Sequence, residues 1–317
     1  MLTANLAALG AALCWAASGL IAIGPVRAIG SVAFNRLRMS IVFVGTALAA
    51  TLLGGWQTPD LQGPAILALS GAVGIGMGDP ALFWALGRIG PRRTSGIYAT
   101  NAPITALLAW AVLGEALGPW TAVGIALVTA GVMLAIFFRA SPVPNGTGTV
   151  PHDWESVRGR LLIGVGACLI AAVCQAAGSV IARPVMAAGA DPIAAAAVRV
   201  GMSGLLLFAG GLLPGQRFGF GPGLTPRIFA QVVVNGFIGL GLGMTLLLIG
   251  LAHGNAGVVA TLSATSPVLI LPMLGVWTRQ RPGAGAWAGA IVAVLGGALI
   301  VNPWGNPANS RRLKNFI

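Results

Sequence analysis

The sequence predicts an all-α integral membrane protein of ten transmembrane helices, built as two inverted five-helix repeats. Three observations lead there. Of 317 residues, 56% are hydrophobic and only 8% charged, whereas soluble domains carry about 25% charged residues. Mean hydropathy is +0.89. Long apolar runs recur along the chain, separated by short Gly/Pro-rich breaks. The second half also echoes the first in motif order. The composition excludes a soluble enzyme, and the apolar content excludes a disordered chain.

A helix needs about 20 apolar residues to cross the hydrocarbon core. That length places spans near residues 4–24, 33–54, 64–87, 95–113, 119–138, 161–183, 192–213, 228–250, 256–278 and 284–301. The first run lacks the basic segment that opens a cleaved signal peptide, so it is expected to be retained as a span. The runs are continuously apolar, whereas membrane-barrel strands alternate. The one long polar stretch before the tail is Arg139 to Arg160. It divides the chain into a first repeat (1–138), a linker (139–160), a second repeat (161–302) and a basic tail (303–317).

The halves align. LCWAASGLIA (13–22) matches VCQAAGSVIA (173–182) at five of ten positions, with Cys14 opposite Cys174 and Trp15 opposite Gln175. RLRMS (36–40) matches RVGMS (199–203), which pairs Arg36 with Arg199. GIGMG (74–78) matches GLGLG (239–243), and TNAPI (100–104) matches ATSPV (264–268). Gly124 and Gly131 match Gly289 and Gly296, and the offset drifts only from 160 to 165. Each half holds five spans, an odd number. The second copy therefore enters the membrane from the opposite side, as in the inverted repeats of secondary transporters.

These features together resemble the EamA branch of the drug/metabolite transporter superfamily. The resemblance rests on the two five-span repeats and on Cys14-Trp15-Ala16 in the first span. It rests also on Arg36 or Arg38 opening the second and on Phe83-Trp84-Ala85 closing the third. The Pro103 segment leads to Leu113-Gly114-Glu115, then to a Gly-rich fifth span through Ala130-Gly131. It covers about residues 4–301. The second repeat departs from the pattern: it keeps Pro267 but has Trp277-Thr278-Arg279 where Leu-Gly-Glu would stand. The resemblance implies transport of a small metabolite, such as an amino acid or related solute, and leaves the substrate open. It also implies that the first and sixth spans line the cavity, which would turn Trp15 and Gln175 inward.

A charged group at bilayer depth is costly and is a functional candidate by default. Asp79 lies about 23 Å along its span at 1.5 Å per residue. It follows a glycine run and precedes Pro80. A helix broken there offers a carboxylate for a substrate amine or a proton; alternatively, Asp79 caps a helix end or pairs with a nearby arginine. In the fourth span, Tyr98 and Asn101 share a helical face with Thr94; in the ninth, Thr265 shares one with Thr261. Such faces line a polar path or simply bond between helices. Pro103 and Pro267 are expected as gating kinks. Arg36 and Arg199 are expected to bind an anionic group, hold a gate, or snorkel to the interface. Glu115 is expected to pair with a local arginine or to cap the fifth span.

No residue cluster has the spacing of a metal site, a catalytic triad or a phosphate loop, so no cofactor, metal or catalytic residue is expected. The net charge of +12 sits in loops and is not a nucleic-acid signal. Most arginines fall in loops after odd-numbered spans, which places those loops in the cytoplasm and both termini outside; the basic tail Arg311-Arg312 argues the reverse. The sequence reading is a secondary transporter, an exporter by alternating access, multi-pass in the bacterial inner membrane, with a small-molecule solute and the lipid bilayer as its partners. Proton coupling would run through Asp79. A lipid or polyprenyl-carrier flippase on the same fold is one alternative, and an intramembrane lipid-modifying enzyme another.

Overall fold

A computed structural model describes residues 1–57, 62–115, 117–137, 159–211, 223–266, 268–269, 273 and 284–301. Ten helices carry almost all of them. In chain order they are α1 (Leu2–Ile29), α2 (Ser31–Leu52), α3 (Gly63–Gly90), α4 (Arg93–Leu113) and α5 (Pro119–Phe137). There follow α6 (Leu161–Ala187), α7 (Pro192–Gly211), α8 (Pro226–His253), α9 (Ala256–Ser263) and α10 (Ala284–Val301). Seven of them, α1 to α4 and α6 to α8, are long and apolar enough to cross a membrane. Among the described residues there is no strand. Most of the expected linker and all of the basic tail lie outside the described residues, as does Pro267.

Helix is the form these runs must take. With no water in a bilayer core, a chain has to satisfy its backbone polar groups internally, and a continuous apolar run does so as a helix. Large apolar side chains such as Leu6, Leu48, Trp110, Leu162 and Ile291 stay exposed on the outside, while the interior is rich in alanine. That is the inverse of a soluble fold, and it packs helices through small residues.

Equivalent segments of the two halves meet one another antiparallel. Along the α2–α7 interface, Arg36 reaches Leu207, Met39 lies against Gly204, and Phe43 lies against Gly201. The numbers rise on one helix as they fall on the other. Along α5–α10, Gly124 packs on Gly296 and Gly131 on Gly289. The first helix of each half packs on the third helix of the other. Ser70 on α3 donates to the Gly178 carbonyl on α6 at 2.6 Å, and Asn235 on α8 donates to the Ser18 carbonyl on α1 at 2.6 Å.

The glycine motifs that align in sequence also share a backbone irregularity. Ala72–Met77 in α3 and Phe237–Gly243 in α8 are π-helical turns. π-turns are rare and concentrate at functional sites. Two further breaks match: α4 turns at Ala99 and Thr100 just before Pro103, and α9 ends at Ser263 with a turn at Ala264 and Thr265. Gly90, at φ 78°, separates α3 from α4.

Close approach at α3–α6 requires glycine. A Cβ added to Gly178 would stand 2.6 Å from the Gly74 Cα, a contact that only a backbone shift can relieve. Gly178→Ala should therefore destabilise the protein by about 1–3 kcal/mol, the usual cost of overpacking. Gly166→Ala on the same helix meets nothing within 4 Å and should be neutral or stabilising by up to about 1 kcal/mol. Thermal unfolding of the two variants in detergent checks the contrast.

Candidate functional site

Asp79 lies on the α-helical stretch of α3 that resumes at Gly78, directly after the π-turn. Its carboxylate pairs with the Arg38 guanidinium on α2. The two side chains are only 13% and 3% exposed. Arg38 also donates to Asn35 Oδ1 at 2.8 Å and, at 3.5 Å, to Asn235 Oδ1 on α8. The Asn235 amide continues to the Ser18 carbonyl and, at 3.0 Å, to the Ser18 hydroxyl on α1. This one network joins α1, α2, α3 and α8.

Two phenyl rings flank the same guanidinium. Its central carbon is 5.0 Å from the Phe34 centroid and 4.6 Å from that of Phe83. The rings meet edge-on at 5.1 Å and 63°. Phe34 precedes Arg38 by four residues and Phe83 follows Asp79 by four, so each helix presents one charge and one ring from a single face. Ring faces attract a cation most strongly where water is excluded.

The two arginines equivalent in sequence sit differently. Arg36 is buried, and its Nε donates to the Leu207 carbonyl at 3.0 Å. Arg199 is wholly buried on α7, yet its Nε, Nη1 and Nη2 all lack a hydrogen-bond partner. Its Nη2 would stand 3.3 Å from a Cβ placed on Gly74, so the guanidinium rests over the π-turn of α3. Gly74 and Asp79 lie five residues apart on α3, so Arg199 and the Arg38–Asp79 pair approach the same helix.

The remaining expected residues fall into two groups. Trp15 reaches across to the other half: its indole N–H donates to the Gly239 carbonyl in the α8 π-turn at 3.0 Å. Gln175 is buried on α6, beside the matching turn of α3 near Gly78. The pairing of Cys14 with Cys174 recurs in space, since each Cβ lies 3.2 Å from a Cβ built on its opposing glycine, Gly243 or Gly78. By contrast, Asn101 donates to the Tyr98 carbonyl at 2.6 Å and Thr265 to the Leu262 carbonyl at 2.7 Å. Thr94 and Thr261 likewise bond back to Gly90 and Gly257. These bonds stay within the local chain and do not tie α4 or α9 to Asp79. Pro80 follows Asp79 and is half-buried; with no N–H it leaves one i→i−4 bond unmade just past the π-turn.

Glu115 has distant partners rather than local ones. It pairs with Arg183 on α6 at 3.1 Å and accepts from the Ala256 N–H, the first residue of α9, at 2.7 Å. It thus caps α9, where expectation had placed the cap on the fifth span, because the left-handed Gly114 that ends α4 turns the chain toward α9. Sequence reasoning passed over Arg38, Asn35 and Asn235 as site residues. Their signal was present: polar side chains inside apolar spans, with Asn35 and Arg38 three apart on one face.

Removing one partner of a buried ion pair typically costs about 3–5 kcal/mol, because the other charge is left alone. Asp79→Leu and Arg38→Met should each lower the thermal midpoint strongly. The double variant Arg38→Met/Asp79→Leu should recover most of the loss. A double-mutant cycle on the purified protein measures this, and additive losses would refute the coupling.

Comparison with known proteins places the whole chain. The model of the EamA-like transporter family matches twice, at residues 2–137 and 162–302. A solved crystal structure superposes with a TM-score of 0.73 at 21% identity, covering 98% of each chain; at that identity the likeness is one of fold. A search of curated proteins finds no match.

Proposed function

Because this chain belongs to the EamA-like transporter family, a family of multi-pass membrane transporters, we propose that it is a secondary exporter. Its solute is a small metabolite such as an amino acid, moved by alternating access between two inverted five-helix repeats in the bacterial inner membrane. The observation that carries this reading is the antiparallel contact of equivalent helices, α2 on α7 and α5 on α10. Two copies of one unit related in this way have exchangeable shapes. One site can open first to one side and then to the other without a separate gate for each.

The path runs beside the Arg38–Asp79 pair. Asp79 is the group that receives a solute amine or a coupling proton. Either event removes the reason for Arg38 to stay: an amine replaces the guanidinium as counter-charge, and a proton abolishes the charge. Release of Arg38 loosens Asn235 and Ser18, and so frees α8 and α1 from α2 and α3. Trp15 and Gln175 line the walls contributed by α1 and α6, with Tyr98, Asn101 and Thr265 on α4 and its counterpart. The matched turns before Pro103 and Pro267, and Pro80 beside the π-turn, are the bending points. Arg36 anchors α2 to α7, and Arg199 answers an anionic group. The π-turns support this division of labour, since they place irregular helical backbone beside the buried charges.

The test is efflux of labelled amino acids and related metabolites from loaded cells. Wild type should export at least one solute, and Asp79→Asn, at matched membrane abundance, should lose most of that flux. Equal export by both would remove Asp79 from the path. Movement of lipid-linked cargo in place of any soluble one would favour a flippase.

A further inference from the structure

Arg199 is the one buried ionic group of this cluster that nothing answers. Its side chain has no exposure, and each of its three guanidinium nitrogens lacks a partner. A guanidinium does not escape burial by shedding its proton, as a lysine would. Asp79, the carboxylate five residues past Gly74 on α3, is already taken by Arg38. These three groups together carry one unbalanced positive charge.

The surroundings fix the root of this side chain and offer its head group no acceptor. The Gly71 backbone packs directly against the Arg199 backbone, and Ser203 ties the two carbonyls together, donating to Gly71 O at 2.8 Å and Arg199 O at 2.6 Å. The base of the side chain is therefore fixed between α3 and α7. Its tip lies over Gly74, where α6 also comes close: a Cβ at that position would stand 3.3 Å from Nη2 and 3.1 Å from the Gly178 Cα. An arginine held at its root and unbound at its fork is a receptor in waiting.

We infer that Arg199, beside the α3 π-turn, is the binding residue for the carboxylate of the transported solute, which it meets when α3 and α7 part during the transport cycle. This rests on the transport reading above and names its substrate class. Charge decides among anions. One carboxylate offsets the charge of Arg199 one for one, whereas a phosphate dianion overshoots. A carboxylate also matches the planar fork with two parallel bonds. Amines without a carboxylate add to the excess charge and are poor cargo.

Formate, the smallest carboxylate, is the probe. Purified full-length protein is unfolded thermally in rising sodium formate, against sodium chloride at equal ionic strength and against methylammonium chloride. Formate should raise the wild-type midpoint by several degrees, through preferential binding to the folded state. Arg199→Lys should keep a reduced shift and Arg199→Met none. Because the Arg199 fork bonds to nothing, Arg199→Met without ligand should be as stable as wild type or more so; a structural arginine would give a large loss.

A formate shift that survives in Arg199→Met overturns the inference. So does the absence of any shift in wild type, or stabilisation by phosphatidylglycerol in place of formate. The outcomes separate from those of the transport reading. Formate binding at Arg199 with no efflux of any solute sinks the transporter and leaves the site. Efflux without formate binding does the reverse.

Discussion

A carboxylate placed at bilayer depth has to be answered by a cation, and the architecture around Asp79 follows from that constraint. Arg38 can reach it only if α2 and α3 present matching faces, and Phe34 and Phe83 complete those faces with apolar bulk. The guanidinium has more donors than one carboxylate accepts. Asn35 and Asn235 take part of the surplus, with Arg38 Nε left unpartnered, and Asn235 passes the connection on to Ser18. In water such a chain would contribute little, since every member would be solvated. Without water each link is the only alternative to an orphaned polar group, so four helices acquire a common anchor. That anchor spans both family-matched segments, with Ser18, Arg38 and Asp79 in the first and Asn235 in the second.

Helix existence was legible in the sequence because a 20-residue apolar run has few other options. The edges moved by a few residues where the composition changes gradually; the third helix, expected over 64–87, runs to Gly90, where the positive φ ends it. The internal alignment was also informative beyond its own terms. GIGMG and GLGLG, matched only by letters, mark the two π-turns, with Gly78 of the first already one residue past its turn. TNAPI marks a break in α4, and ATSPV begins where α9 turns.

What sequence could not supply was rotation. Arg36 and Arg38 are two residues apart, about 200° around a helix, so only one of them can face Asp79. Hydropathy is nearly blind to which. The structure gives that role to Arg38 and turns Arg36 toward the Leu207 carbonyl on α7. The hydroxyls of α4 and α9 illustrate the same limit. Thr94 and Thr261 sit on coherent faces, but a threonine hydroxyl can always bond back one turn, and these do. Glu115 failed as a local reading because its partners, Arg183 and Ala256, are distant in sequence.

The π-turn in α3 has a consequence for helical phase. A π-turn holds about one residue more than an α-turn, so every side chain beyond it is advanced by roughly 100° relative to an uninterrupted helix. Asp79 lies just past that turn and Ser70 just before it. Ser70 addresses α6 while Asp79 addresses α2. The direction in which the carboxylate points is therefore set by a count of backbone atoms, upstream of any side-chain chemistry. A turn that relaxed from π to α would redirect Asp79 while leaving the helix axis and its lipid-facing surface almost where they were.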